Sequence, residues 1–566
     1  MTSEIVTPES PKACELTLLN FLQRARKLFG KKEIVSREED NSIFRYTYAD
    51  FYKRVCQLAN ALEELGIKKG DKVGTLAWNT HRHLELYFAP PCIGATYHTI
   101  NLRLSAEQIS YVINHAEDRV LFLDSDQIPV VEQIAGRLNV KHFIVMGKEK
   151  SYDTSFDSIA YEELISGRSK SYNWPKIDEN AVAGMAYTSG TTGMPKGVEY
   201  THRNIVLHSI VTALPDALNL SEKRCVLHIV PMFHVNAWGI PFAATMCGAK
   251  QVFPGQHPKP RDYVELIQNE KVDFTACVPT VWLMIYSFLK ENPGYDISSL
   301  KEAFTGGSAP PASLLKAFKE DFGITIIHTY GLTETTPVLT VNRPKSYMKL
   351  EGDELYEHSR KQGLLLPLLE MRVIGERDGK RREVEWNGME MGELYVRGPW
   401  VTREYYKDPE KTAEKFVDGW FRTEDIVVVD EEGYIKIVDR AKDLIKSGGE
   451  WISSLDMENH LMLHPAVKEA VVVGIAHPKW QERPLAFVVP EGEVEKEELK
   501  NKKDELKEEL MNHLRKKFPR WWLPDDIIFV TEIPKTSVGK FDKKVLREKY
   551  GDYFVTHQLT HRRKPS

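Results

Sequence analysis

From about Asp71 to Pro279, short apolar runs alternate with longer stretches of helical spacing, and this alternation limits the chain to a small set of folds. The runs Val120 to Leu123, Phe143 to Met146, Val226 to Val230 and Phe274 to Val278 are too short for helices and too uniformly apolar for one-sided strands. They fit strands of parallel sheets covered by helices on both faces. Clusters of glycine, serine and proline directly after such runs fall at the carboxyl edge of a sheet, where open α/β folds bind ligands.

Between about Val338 and Val438 the texture changes to short strand-like pieces, including Glu393 to Val396 and Tyr434 to Val438, separated by Asp378-Gly379, Asn387-Gly388 and Glu432-Gly433 turns. A charged stretch, Asp439-Arg440-Ala441-Lys442-Asp443, precedes a new α/β segment with an apolar strand at Ala470 to Ile475. The expected organisation is an α/β N-terminal domain over 1–438 with a β-rich subdomain at about 338–438, a linker at 439–444 and a smaller, mobile C-terminal α/β domain over 445–566. The leucines at 499, 506, 510 and 514 predict an amphipathic helix with a solvated charged face.

At 566 residues there is room for several cores. A net charge of -5 provides no global positive field for nucleic acid. Cys14, Cys56, Cys92, Cys225, Cys247 and Cys277 show no CxxC spacing, so buried free thiols in a reducing compartment are expected. The start, MTSEIVTPESPKACEL, lacks the charged and apolar parts of a signal peptide, and no run approaches the ~18 apolar residues of a membrane span. The expectation is a cytoplasmic protein.

The stretch Tyr187 to Gly197, YTSGTTGMPKG, follows the apolar run Ala181 to Ala186. Its N–H groups, hydroxyls and ammonium suit phosphate oxygens. It is not a Walker A loop, because Lys196 lies between Pro195 and Gly197. The string resembles the phosphate loop of the adenylate-forming superfamily, which comprises acyl-CoA synthetases, luciferases and peptide-synthetase adenylation domains. Three further segments match: Tyr330-Gly331-Leu332-Thr333-Glu334, GWFRTEDIVVVDEEGYIKIVDRAKDLIK from Gly419 to Lys446, and PKTSVGK from Pro534 to Lys540. The resemblance covers about Leu16 to Tyr550.

The resemblance implies ATP, Mg²⁺ and coenzyme A as the small molecules used. It assigns catalytic roles to Lys540, Thr192, His234 and Glu334, with Glu334 also the magnesium ligand; one carboxylate plus phosphate oxygens and water satisfies that ion. Lys540 would offset the repulsion between the substrate carboxylate and ATP. Nucleotide and CoA contacts would come from Thr188, Ser189, Gly190, Thr191, Thr192, Gly193, Lys196, Gly307, Ser308, Ala309, His328, Thr329, Tyr330, Gly331, Thr333, Asp425, Arg440, Gly448, Gly449 and Trp451. Asp425 and Arg440 would hold the ribose, Trp238 would gate an acyl tunnel, and Lys442 would be the hinge. One departure from the family pattern is Glu424, where relatives carry glycine; a side chain there puts the close approach of Asp425 in question.

In the amino-acid-adenylating members of the family this chain resembles, an Asp just after the aromatic of this segment pairs with the substrate's ammonium. Here Phe233 is followed by His234-Val235-Asn236-Ala237-Trp238 without a carboxylate, so the resemblance disfavours an amino acid, whose ammonium would be buried unpaired. With its fatty-acyl-like segments VPMFHVNAWGIP and IKSGGEWISS, the chain resembles medium- and long-chain fatty-acyl-CoA synthetases most closely. The expected partners are a fatty acid, ATP and CoA, with no integral membrane segment, leaving peripheral membrane contact and homodimer formation open. Ligation of a short-chain or aromatic acid, formation of acyl-AMP without thioester, luciferase-like oxidation, and an inactive acyl-nucleotide-binding protein are the alternatives.

Overall fold

A computed structural model describes residues 14–188, 194–377, 379–441, 443–447, 450–491, 499–535 and 541–554. The large N-terminal domain is built on two mostly parallel sheets. The first runs in the order 405–406, 197–201, 182–187, 96–99, 72–76, 118–124, 142–146, 158–160, and the second in the order 364–365, 338–341, 325–331, 302–305, 274–277, 225–227, 250–253, 33–37, 43–47. The apolar runs read from the sequence are strands Asp118–Asp124, His142–Met146, Cys225–Leu227 and Phe274–Cys277. They are buried along most of their length, as strands covered on both faces must be. The Val226 to Val230 run leaves the sheet after Leu227, ahead of the Pro231 turn.

Six strands reach the candidate site: β1 (Val182–Tyr187), β2 (Gly197–Thr201), β3 (Thr325–Gly331), β4 (Tyr405–Tyr406), β5 (Trp420–Val429) and β6 (Ile435–Arg440). β5 and β6 belong to an antiparallel sheet that also contains Glu370–Arg377 and Gly392–Arg397. Val338–Val341 and Leu364–Leu365 extend the second parallel sheet instead, and Gly352–Ser359 between them is helical.

The smaller C-terminal domain has a five-stranded sheet centred on the Val467–His477 and Gln481–Pro490 hairpin. Helices α1 (Ser454–Leu461), α2 (Leu499–Arg515) and α3 (Lys543–Tyr550) pack on it. The amphipathic reading of α2 holds: Leu510 and Leu514 are fully buried and Leu506 packs on the same core. Beneath the first turn of α1 lies a buried charged cluster, in which Lys543 Nζ donates to Ser454 Oγ at 2.6 Å and lies 2.7 Å from Glu458 Oε1. The Glu458 carboxylate also accepts from Val472 N at 2.8 Å.

All six cysteines are free, but they are not uniformly buried: Cys14, the first described residue, is exposed and packs on no core among the described residues, and Cys247 packs on the edge of the main core and is partly exposed. Among the described residues no helix is long and apolar enough to cross a membrane.

Candidate active site

Several candidate residues lie at the carboxyl ends of parallel strands: Thr188 follows β1, and Tyr330 and Gly331 end β3. β1 and β2 form a hairpin whose last sheet pair is Tyr187 with Gly197. The loop between them is closed by Thr188 N donating to Lys196 O at 2.9 Å and Lys196 N donating to Thr188 Oγ1 at 3.2 Å. A Cβ on Gly197 would come within 2.5 Å of the Met185 side-chain tip and 3.1 Å of Tyr406, so glycine lets the flanking side chains pack closely here. Ser189, Gly190, Thr191, Thr192 and Gly193 lie outside the described residues, as do Lys442, Gly448, Gly449 and Lys540.

β3 ends at Tyr330 and Gly331. The chain then doubles back through a short 3₁₀ turn, Thr333–Thr335. A Cβ on Gly331 would sit 2.1 Å from Pro337 O, which explains the glycine at this reversal. The turn directs Glu334 toward Tyr405, whose hydroxyl donates to Glu334 Oε1 at 2.6 Å. Main-chain bonds fix the turn from two sides: Thr402 N donates to Glu334 O at 2.8 Å, and Tyr200 OH to Thr333 O at 2.9 Å.

Asp425 and Arg440 are cross-strand partners on β5 and β6. Arg440 Nε lies 2.8 Å from Asp425 Oδ1, Arg440 Nη1 donates to Thr423 O at 3.2 Å, and the Tyr330 hydroxyl donates to the other Asp425 oxygen. Burial and the Asp425 carboxylate push the Tyr330 hydroxyl well above its ordinary pKa, so it stays a donor. Arg440 is also within electrostatic reach of Glu334 and Glu424, which ties the carboxylate of the 3₁₀ turn to this clasp.

Glu424 does not obstruct the clasp. It adopts φ +60°, the left-handed conformation glycine takes freely, while its carboxylate turns to Lys415 Nζ at 2.5 Å. Its carbonyl accepts from Ala441 N at 2.9 Å, holding β5 and β6 together past their last pair. Asp425 keeps its position beside Arg440 despite the side chain that precedes it.

His328 and Thr329, also on β3, face inward. Nδ1 of His328 lies 2.9 Å and 3.0 Å from the Arg360 and Lys361 carbonyls, and burial holds its pKa down to about 4, so the ring is neutral. Thr329 Oγ1 donates to Thr305 O at 3.2 Å. The loop of Gly307, Ser308 and Ala309 starts at Gly306, where a Cβ would come within 2.8 Å of Thr329 O and 2.9 Å of the Trp238 ring.

Trp238 is buried on an unusual turn: Val235, Asn236, Ala237 and Trp238 have φ of +46°, +55°, +49° and +58°, and Gly239 follows at +73°. Each non-glycine residue in that region costs roughly 1–2 kcal/mol, so tertiary contacts must hold the turn. His234 is half-buried at its start.

Trp451 is set apart from these groups. It stands on the small-domain hairpin of Ile445–Ser447 and Glu450–Ile452, 42% exposed, with the Lys446 ammonium 5.2 Å from its ring.

Sequence reasoning missed Tyr405 and Thr402, which hold Glu334, and Thr423, which supports Arg440. Tyr405 and Thr402 make their contacts across a large sequence separation, and Thr423, although inside the Gly419–Lys446 string, supports Arg440 through its main-chain carbonyl, which no side-chain pattern marks.

The chain matches the AMP-binding enzyme model over residues 22–406 and the AMP-binding enzyme C-terminal domain model over 456–540. It is 50% identical to the long-chain-fatty-acid–CoA ligase of Thermus thermophilus over 543 residues, covering 95% of this chain and 96% of that one. Against the medium-chain-fatty-acid–CoA ligase of Ectopseudomonas oleovorans the identity is 41%, covering 96% and 97%. The structure of the anthranilate CoA ligase AuaEII in complex with anthranoyl-AMP superposes with a TM-score of 0.81 at 25% identity, covering 94% of this chain and 97% of that one. Whole-length identity at this level, two domain models in register and a matching two-domain fold lead to one conclusion: this chain belongs to the AMP-binding enzyme family.

Proposed function

We propose that the chain is an ATP-dependent fatty acid:CoA ligase that makes acyl-CoA through an acyl-AMP intermediate, releasing pyrophosphate and AMP. The observation that carries the reading is the joined arrangement of Asp425, Arg440 and Tyr330 with Glu334 and Lys196, supported by the 50% identity to a long-chain-fatty-acid–CoA ligase. Asp425 accepts hydrogen bonds from the ribose hydroxyls, and Arg440 fixes the orientation of that carboxylate. Lys196 offers its ammonium to the phosphates. The half-buried Glu334 carboxylate, held by Tyr405 beside that ammonium, is a suitable hard oxygen donor for magnesium, which would neutralise phosphate charge when bound.

In the first step a carboxylate oxygen of the acid attacks the α-phosphorus and pyrophosphate leaves. In the second the CoA thiol attacks the acyl-adenylate carbonyl and AMP leaves. Placing the reactants and stabilising developing charge suffice, and no covalent enzyme intermediate is needed. Lys540 is assigned to the first step and Gly448 and Gly449 to the second, with the C-terminal domain over 445–566 turning about Lys442 between them. The acyl group lies along Gly306 and the Trp238 ring, which a Cβ on Gly306 would approach within 2.9 Å.

The test is a thioester assay over acids from acetate to oleate plus aromatic acids, each with and without CoA. Preference for medium or long chains with CoA-dependent thioester is expected. Preference for acetate or benzoate overturns the fatty-acid reading, and adenylate without thioester overturns the ligase reading.

A further inference from the structure

Lys196 and Glu334 carry opposite charges on adjacent segments of the site, yet they do not pair. Lys196 Nζ sits 5.1 Å from the centre of the Tyr405 ring, and the hydroxyl of that ring donates to Glu334 Oε1 at 2.6 Å. A single side chain therefore touches both, one on its π face and the other at its tip. Among the described residues neither charge has an ion-pair partner.

Tyr405 is itself rigidly placed. It is 4% exposed, its Cα pairs with Val198 on β2, its N–H donates to Thr412 Oγ1 at 3.0 Å, and its ring meets Phe416 edge-on at 5.8 Å. Three residues earlier, Thr402 N holds the main-chain carbonyl of Glu334, so one short segment grips both the backbone and the carboxylate of that residue. Burial, reinforced by the Glu334 carboxylate, pushes the Tyr405 hydroxyl well above its ordinary pKa and keeps it a donor.

An ammonium and a carboxylate that meet the same side chain attract each other, and without the ring they would be drawn toward contact. The pair so formed would serve neither phosphate nor metal. An aromatic ring prevents contact while costing little, because its face is attractive to the cation and its hydroxyl to the anion.

We propose that Tyr405 is a positioning residue for adenylation: it stands between Lys196 and Glu334, leaving the ammonium available to phosphate oxygens and the carboxylate to magnesium. The proposal rests on the reading of Glu334 as the metal ligand. It adds a function that Tyr405 exerts through Lys196 and Glu334.

The experiment measures Mn²⁺ binding by electron paramagnetic resonance, with the full-length protein saturated with α,β-methylene ATP, so that no turnover is required. Tyr405→Phe keeps the ring and loses the hydroxyl; manganese binding is expected to weaken about threefold. Tyr405→Leu removes the barrier, and a loss of about tenfold or more is expected. Adding Lys196→Met to Tyr405→Leu removes the competing cation and is expected to recover manganese binding to within about threefold of the native protein, a coupling absent when Lys196→Met is made alone. Native manganese affinity in both Tyr405 variants overturns the proposal, as does a double variant that binds no better than Tyr405→Leu. If the leucine variant does not fold, Tyr405→Phe decides: unchanged affinity removes the anchoring role. Glu334→Gln is the separate control, since manganese binding unaffected by that exchange refutes the metal-ligand reading itself.

Discussion

Asp425 and Asp439 are nearly equivalent by every local measure and are put to opposite uses. Both are buried, and they lie on neighbouring strands, where Asp425 pairs with Arg440 and Ile426 with Asp439. Among the described residues the partners of Asp425, namely Arg440, Tyr330 and the Thr423 hydroxyl beneath its N–H, lie on β6, β3 and β5. Asp439 points the other way. Its Oδ2 accepts from Ser454 N at 2.8 Å, from the Ser454 hydroxyl, and from Leu455 N at 3.4 Å, so it caps the first turn of α1 in the small domain. Consecutive residues of β6 thus serve the Asp425–Arg440–Tyr330 clasp and the contact with α1. The first set of bonds involves no residue of α1, whereas the second joins β6 to it.

The largest expected effect is from Asp425→Ala. Removing one member of a buried ion pair costs about 3–5 kcal/mol, reduced here toward about 2–3 because the Arg440 side chain is 37% exposed. ATP affinity, followed by calorimetry, should fall at least about a hundredfold, since the ribose loses its acceptor and the guanidinium its anchor. An ATP affinity within about threefold of native would show that the clasp is not the nucleotide site.

Asp439→Ala should act less strongly and unequally. Loss of a helix cap costs about 0.5–2 kcal/mol, so pyrophosphate release is expected to slow about three- to tenfold. If, as proposed, the small domain turns between the two steps and Asp439 stabilises the first arrangement, thioester formation from supplied acyl-AMP should be unchanged or faster. Equal losses in both half-reactions would erase the distinction between the two aspartates.

The smallest effect is expected from Glu424→Gly. Relief of a positive φ contributes about 1 kcal/mol, and loss of the Lys415 contact removes about 0–1 kcal/mol. Urea unfolding should place the variant within about 1 kcal/mol of native, with ATP titration unaltered. A marked gain in ATP affinity would mean that the Glu424 side chain does impede the clasp.

These residues also show how far a sequence can be read. The parallel sheets were legible because their strands are apolar on both faces, and the β1–β2 and β3 loops because glycine, hydroxyl and lysine cluster directly after such runs. Asp425 and Arg440 were legible as members of a string, and their contact follows from the β5–β6 hairpin that joins them. Tyr405 was not legible: it lies 71 positions from Glu334, in a segment whose composition suggests only a strand end. The turn at Val235–Trp238 was equally hidden, because a β-branched valine at φ +46° contradicts local preference and is explained only by what packs around Trp238. Asp439 reads as part of a charged linker, and nothing nearby announces its bond to a helix fifteen residues on.

The cluster under α1 has a consequence in protons. Burial raises Glu458 from its ordinary 4.5 to about 7, against the pull of Lys543 and with the help of the Asp439 carboxylate. The folded protein therefore holds this proton more tightly than the unfolded chain does. The stability it contributes is complete below about 4.5 and is lost as pH rises through about 7. Lys543, raised by the same carboxylates, adds a loss of the same sign above its ordinary 10.5. Any turn that carries α1 away from Asp439 removes one of the charges that raise Glu458 and releases part of a proton. Mild acid accordingly favours the arrangement in which Asp439 caps α1, and alkali favours departure from it.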